Sequence, residues 1–289
     1  MRRTARRQAK AKARARAAAE AKVRTPVADR HSWLRWWPRR RLAVVYNVNG
    51  PRVRVGVLWF LANLVALAVG LELMTPLWAI TAAVAGLQAS RAWRKHGTRA
   101  HRLVAGVGAG AVAAAAATGA GFMGIAVLAV VGAAYYLALI DLEGGNPVEQ
   151  AGYTIQCALF AGAAAAGVVS TLRFDVIAAT GLLLLVSAYE AGDFLIGSGA
   201  RWKWEGPAAG MIAALVVAFA ISTLRLPPFV LPESLWLAGL VAGLCPIGQL
   251  VASAVLPDAG ARAPALRRLD SMIVLAPVWA LVTGILTAS

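Results

Sequence analysis

Two segments in the C-terminal third carry side chains that could do chemistry. The first runs Tyr189-Glu190-Ala191-Gly192-Asp193 and, past Gly197, Arg201-Trp202-Lys203-Trp204-Glu205-Gly206. The second runs Gly248-Gln249-Leu250-Val251-Ala252-Ser253 and then Leu266-Arg267-Arg268-Leu269-Asp270-Ser271. Glu190 and Asp193 stand three residues apart, which places them on one face of a helix. Asp270 follows two arginines with one leucine between. Carboxylates hold hard divalent cations such as Mg²⁺, and guanidinium and ammonium groups clamp phosphate oxygens. The combination suits phosphoryl or nucleotidyl transfer. The competing reading is structural: the carboxylates pair with Arg201 or Arg268, or reach towards water, and hold no ligand.

The elements that must position these residues are transmembrane helices. Of 289 residues 60% are hydrophobic and 15% charged, with a mean hydropathy of +0.66. That is too much apolar surface for one water-soluble core of this size. Apolar runs predict spans at about 55–74, 75–90, 103–118, 121–140, 151–171, 176–196, 207–224, 235–256 and 271–287. Backbone amides in hydrocarbon must be paired internally, so the spans are helical. The expected fold is an all-α, polytopic bundle of about nine helices (55–289), preceded by a disordered basic arm (1–54). Lys and Arg concentrate after the second span, in the segment 198–206 and in the segment 257–270. This puts the N-terminus and those loops on the cytoplasmic side of an inner membrane and the C-terminus outside. The acidic loop 141–150 dissents from that pattern.

Other patterns carry less. Gly119-Ala120-Gly121-Phe122-Met123-Gly124 matches a dinucleotide fingerprint but follows no strand. Gly106 and Gly110 have the spacing of close helix packing. Cys157 and Cys245 lie inside apolar runs as buried small residues, and the histidines at membrane edges are expected to be solvated.

Residues 185–280 resemble the phosphatidate cytidylyltransferase (CDP-diacylglycerol synthase) family. The blocks that carry the resemblance are Lys203-Trp204-Glu205-Gly206, Gly248-Gln249-Leu250 with Ala252-Ser253, and Leu266-Arg267-Arg268-Leu269-Asp270-Ser271 with Ala276-Pro277. The resemblance implies transfer of CMP from CTP to phosphatidate with Mg²⁺ as cofactor. It assigns Asp270 to the metal, with Glu190 or Asp193 as further ligands, and Arg268 to catalysis beside it. Arg201, Lys203, Trp204, Glu205, Gly206, Ser253, Arg267 and Ser271 fall on the substrate side. The chain departs from the family where Gln249 replaces a metal-binding aspartate, Ala252 a glutamate and Arg267 an aspartate. These departures leave a one-metal site on Asp270. The alternative function is that of a non-catalytic membrane relative, a lipid-binding or scaffold protein. A homodimer is one assembly open to either.

The charge of +16 belongs to the arm. Residues 1–54 hold seventeen Lys and Arg against Glu20 and Asp29, a net of +15, and the rest of the chain nets +1. A tail of this kind, flanking Trp33, Trp36 and Trp37, suits anionic lipid headgroups, and nucleic acid is not an expected partner. Deleting residues 1–30 is expected to leave a monodisperse protein in detergent and to weaken its binding to vesicles containing anionic lipid. Sedimentation with such vesicles checks the second part and size-exclusion chromatography the first.

Overall fold

The computed structural model describes residues 52–141, 146–202, 204–258 and 260–288. The arm, its tryptophan segment and Lys203 lie outside the described residues. Among the described residues the structure is helical, in the order α1 (Arg52–Val69), α2 (Leu71–Lys95), α3 (Arg102–Ala116), α4 (Ala120–Ile140), α5 (Pro147–Phe174), α6 (Val176–Gly197), α7 (Glu205–Ser222), α8 (Glu233–Val255), the single turn α9 (Leu266–Leu269) and α10 (Met272–Ala288). Seven are long and apolar enough to cross a membrane: α2, α4, α5, α6, α7, α8 and the α9–α10 segment Leu266–Leu286. Val55–Val69 and Arg102–Ala116 are shorter apolar helices. The chain is a helical, multi-pass membrane protein.

One expected boundary moves. The first two spans divide at Gly70, not between residues 74 and 75, and α2 runs 25 residues to Lys95. Gly70 has a φ of 99°, a conformation that costs glycine little and ends α1 abruptly. Pro76, an apparent breaker, lies six residues into α2; it forfeits the bond that an N–H there would make to the Glu72 carbonyl, and the helix continues through it. The expected division between the third and fourth spans stands: Gly119, with φ 135°, turns the chain there. The same observation disposes of the fingerprint, since Gly119 is a turn and nothing lies within 4 Å of where a side chain on Gly121 or Gly124 would begin.

The centre of the bundle is α5. Two-thirds of its spanning window is buried (67%), against 17% for α4 at the periphery. Its middle, Ala161-Gly162-Ala163-Ala164-Ala165-Ala166-Gly167, explains why. Apolar burial does not distinguish a neighbouring helix from lipid, so helices associate where small side chains let backbones approach and pack. A side chain on Gly162 would meet the Ala109 carbonyl of α3 at 3.1 Å, and one on Gly167 would collide with the backbone of Ala276 in α10. Gly106 and Gly110 do the same for α3 against α2, as their spacing predicts.

Short connections make successive helices alternate in direction. Trp93 Nε1 near the end of α2 donates to the Val255 carbonyl at the end of α8 over 2.8 Å, and Gly56 of α1 lies beside the Arg268 guanidinium. These contacts gather the starts of α1, α3, α5, α7 and α9 at one end, hereafter the entry end. At the far end Gly119 abuts the Arg173 guanidinium and Gly284 abuts Phe174. Of the eleven described Lys and Arg beyond residue 54, nine lie at the entry end; Arg173 and Arg225 lie at the other. The dissenting acidic loop fits this arrangement, because Asp141 Oδ1 lies 3.4 Å from an Arg99 nitrogen at the same end. His31 lies outside the described residues, His96 is exposed as expected, and both His96 and His101 also have protein partners. His101 Nδ1 accepts from the Val104 N–H at the start of α3, and His96 Nε2 lies 3.3 Å from Asp258.

Cys157 and Cys245 are buried and free, so they leave introduced thiols readable. Single cysteines at Gly97 and Gly199 should be labelled by an impermeant maleimide from one side of sealed vesicles, and cysteines at Thr118 and Arg225 from the other. Labelling of Gly97 and Thr118 from the same side would overturn this topology.

Candidate functional site

A polar ring of buried and half-buried residues joins three helices near the entry end. It begins on α6, where Asp193 is buried and Glu190, one turn earlier, is partly so. Two glycines let α6 lie tightly against α7. A side chain on Gly192 would meet the Ala209 carbonyl at 2.8 Å, and one on Gly210 the Tyr189 carbonyl at 2.7 Å. That contact turns the carboxylate face of α6 towards α8 and the α9–α10 junction.

The partner from α8 is Gln249. Its side chain is only 6% exposed, and its Nε2 donates to Asp193 Oδ2 over 2.8 Å. Pro246 interrupts the α8 hydrogen-bond ladder just before it. Four residues on, the Ser253 hydroxyl donates to the Gln249 carbonyl (3.2 Å) and accepts from an Arg267 nitrogen (2.9 Å). Arg267 in turn supplies the main positive charge offsetting Asp270. Asp270 Oδ1 accepts from the backbone N–H of Ser271 at 2.8 Å. The Ser271 hydroxyl has one proton to give and two carboxylates in reach, Glu190 at 2.9 Å and Asp270 at 3.4 Å. Arg268 attracts Glu190, while Asp193 and Asp270 repel it. The circuit therefore passes from Asp193 through Gln249, Ser253, Arg267, Asp270 and Ser271 to Glu190, and so back to α6.

Gly248 makes the circuit close. A side chain there would collide with the Asp270 carbonyl and lie 3.2 Å from that of Ser271. Only the bare glycine backbone lets α8 come near enough for Gln249 and Ser253 to join the ring. The end of α8 and the loop that follows it are also pinned from outside. Gln88 of α2 accepts from the Ala265 N–H (2.8 Å), and Gln156 of α5 donates to the Ala254 carbonyl (3.3 Å).

The expected site residues thus divide. Glu190, Asp193, Gln249, Ser253, Arg267, Asp270 and Ser271 come together, with Arg268 beside Glu190. The α6–α7 loop is separate in character. Arg201 is exposed, Trp204 is 74% exposed, and the Glu205 carboxylate accepts from the Trp202 N–H at 3.0 Å, where it holds the loop that leads into α7. Gly206 is buried in the first turn of α7. Of the two arginines open to the carboxylates as ion-pair partners, Arg201 is not the one that meets them; the charge comes from Arg267 and Arg268. Sequence reasoning treats Gln249 only as a lost metal ligand. Its role as donor to Asp193 is readable only as spacing, since Cys245, Gln249 and Ser253 fall at four-residue intervals on one face of α8. Cys245 lies near enough to all three carboxylates to feel their charge.

The donors are all hard oxygens, as Mg²⁺ requires: three carboxylates, the Ser271 hydroxyl and the Gln249 Oε1, which is buried without a hydrogen-bond partner. Among the described residues, however, no group of three or more His, Cys, Asp or Glu side chains is drawn together in a metal-binding cluster. The chemistry of the set fits the ion, while a donor from Gln249 satisfies Asp193 in its place.

Gln249→Leu should remove that donor from a buried carboxylate and lower stability by about 1.5–3 kcal/mol, because a hydrogen bond to a charged group is lost without water to replace it. Thermal melting in detergent checks this. An unchanged melting temperature would mean that Asp193 does not depend on the amide.

Comparison of the chain with protein-family models, with curated proteins and with solved structures finds no match in any of the three.

Proposed function

We propose that the chain is a membrane-embedded, CTP-dependent transferase that moves CMP to phosphatidate at the entry end, which we take to be cytoplasmic and to belong to the cell membrane. The observation that supports this reading is the meeting of Glu190, Asp193 and Asp270 with Arg267 and Arg268 at one mouth of the bundle. Carboxylates and guanidinium groups are costly to keep at such a depth, and they are the groups a phosphate–cation site requires.

In this reading a phosphatidate phosphate oxygen attacks the α-phosphorus of CTP. The bond from that phosphorus to the β-phosphate oxygen breaks, pyrophosphate leaves, and CDP-diacylglycerol remains in the membrane. Arg268 and Arg267 hold phosphate charge beside the reacting centre. Arg201 and Lys203, on the α6–α7 loop, collect the nucleotide from water, and Glu205 holds the Trp204 turn against which it lies. Ser253 and Ser271 orient Arg267 and the carboxylates. Asp270, with Glu190 or Asp193, would hold Mg²⁺, whose chemistry when bound is to offset the triphosphate's charge.

A second reading has its own observation. The Gln249 amide already satisfies Asp193, as expected of a relative that keeps the scaffold and binds lipid without turnover.

One experiment separates them. Purified protein incubated with CTP, Mg²⁺ and phosphatidate should yield lipid-linked cytidine, and Asp270→Asn should lower that turnover by about 100-fold or more with little change in melting temperature. Gln249→Asp should raise turnover or Mg²⁺ affinity if a missing carboxylate limits the site. Full activity in Asp270→Asn would refute the assignment. No product from either wild type or Gln249→Asp would establish the non-catalytic reading.

A further inference from the structure

Apart from the carboxylate ring, the entry end holds a cavity of about 260 Å³ between α4, α5 and the α2–α3 loop. None of its lining residues belongs to the ring, so a ligand bound there is independent of the transferase reading. Two kinds of wall meet in it. One is apolar and comes from the end of α4, chiefly Ala138 and Ile140. The other is polar: Arg99, Asp141, the buried Gln150 and Thr154. The polar wall is built firmly. Thr154 Oγ1 accepts from the His101 N–H (2.9 Å) and donates to the Gln150 carbonyl (2.8 Å), which fixes the α2–α3 loop to α5.

The charges on the rim are opposite in sign and loosely joined. Arg99 and Asp141 are 3.4 Å apart, and their side chains are 48% and 37% exposed. A pair this exposed contributes little to stability. The apolar wall continues outward. Ile140 lines the cavity and is itself exposed, as are Tyr136 and Leu139 on the same helix. The cavity therefore opens where lipid-facing surface ends and charged loop begins.

We propose that this cavity binds the headgroup of a zwitterionic phospholipid that carries a primary ammonium, with its phosphate at Arg99, its ammonium at Asp141 and its upper acyl chain along α4. Size fits a headgroup and not a whole lipid. A cation and an anion side by side complement a phosphate and an ammonium side by side. The carboxylate of Asp141 can accept hydrogen bonds from a primary ammonium, which a trimethylammonium cannot donate.

The test uses the full chain in detergent and native mass spectrometry with dioctanoyl phosphatidylethanolamine, phosphatidylglycerol, phosphatidylcholine and water-soluble glycerophosphoethanolamine. The wild type should retain phosphatidylethanolamine at least about tenfold better than the other two lipids. It should bind the soluble headgroup far more weakly, since that lacks the chain. Asp141→Asn, a near-isosteric change at a partly exposed position, should abolish the preference. Ala138→Phe should fill the cavity and weaken binding of all three lipids. Equal retention of phosphatidylglycerol by the wild type, a preference that survives Asp141→Asn, or a soluble headgroup that binds as well as the lipid would each overturn the proposal.

Discussion

Three carboxylates held inside one end of a helical membrane bundle set the terms for everything around them. An ionised carboxylate away from water must be given hydrogen bonds and positive charge, or it destabilises the fold by several kcal/mol. The chain meets this with a closed circuit and not with isolated ion pairs. Gln249 serves Asp193, Ser271 serves Glu190 and Asp270, and Arg267 links Asp270 back to Ser253 on α8. This fixes the positions of α6, α8 and the α9–α10 junction, because each contributes a member that the others need. The glycines at 192, 210 and 248 are the backbone counterpart of the same demand: they remove the side chains that would hold the helices too far apart.

Much of this architecture was legible in the residues. Hydrophobic runs disclosed the helices, and small-residue spacing disclosed that α3 packs closely on a neighbour, though not that the neighbour is α2, because both signals depend on local composition. The displaced boundary at Gly70 shows where that reasoning fails. Residues 55–90 are apolar almost throughout, so hydropathy contains no edge, and the edge is set by one glycine's backbone conformation. The candidate residues in the second segment and on α6 were legible as chemistry, since carboxylates beside arginines in apolar surroundings are conspicuous. Their partners were not. That Arg267 turns to Ser253 and that an amide from α8 occupies Asp193 are facts of helix rotation and axial register. One sequence does not contain these without the packing. The tight contact at Gly248 is another such fact.

Charge placement gives a second kind of order. Nine of the eleven described bases beyond residue 54 lie at the end where α1 begins, and Asp141 there faces Arg99. The polar ring and the mixed cavity both lie at that end. They draw on different residues and different helices: the ring joins α6, α8 and α9–α10, and the cavity joins α4, α5 and the α2–α3 loop. The far end, by comparison, holds Arg173 against the turn at Gly119 and the capping carboxylate of Asp175, which accepts from Ala178.

The approach of Gly248 to the Asp270 carbonyl also governs what can move. Where two helices touch through side chains, rotamer changes allow them to slide or roll. Here backbone lies against backbone, with no side chain between to repack. Residues of α8 around Gly248 and the start of the last span therefore behave as one stiff piece.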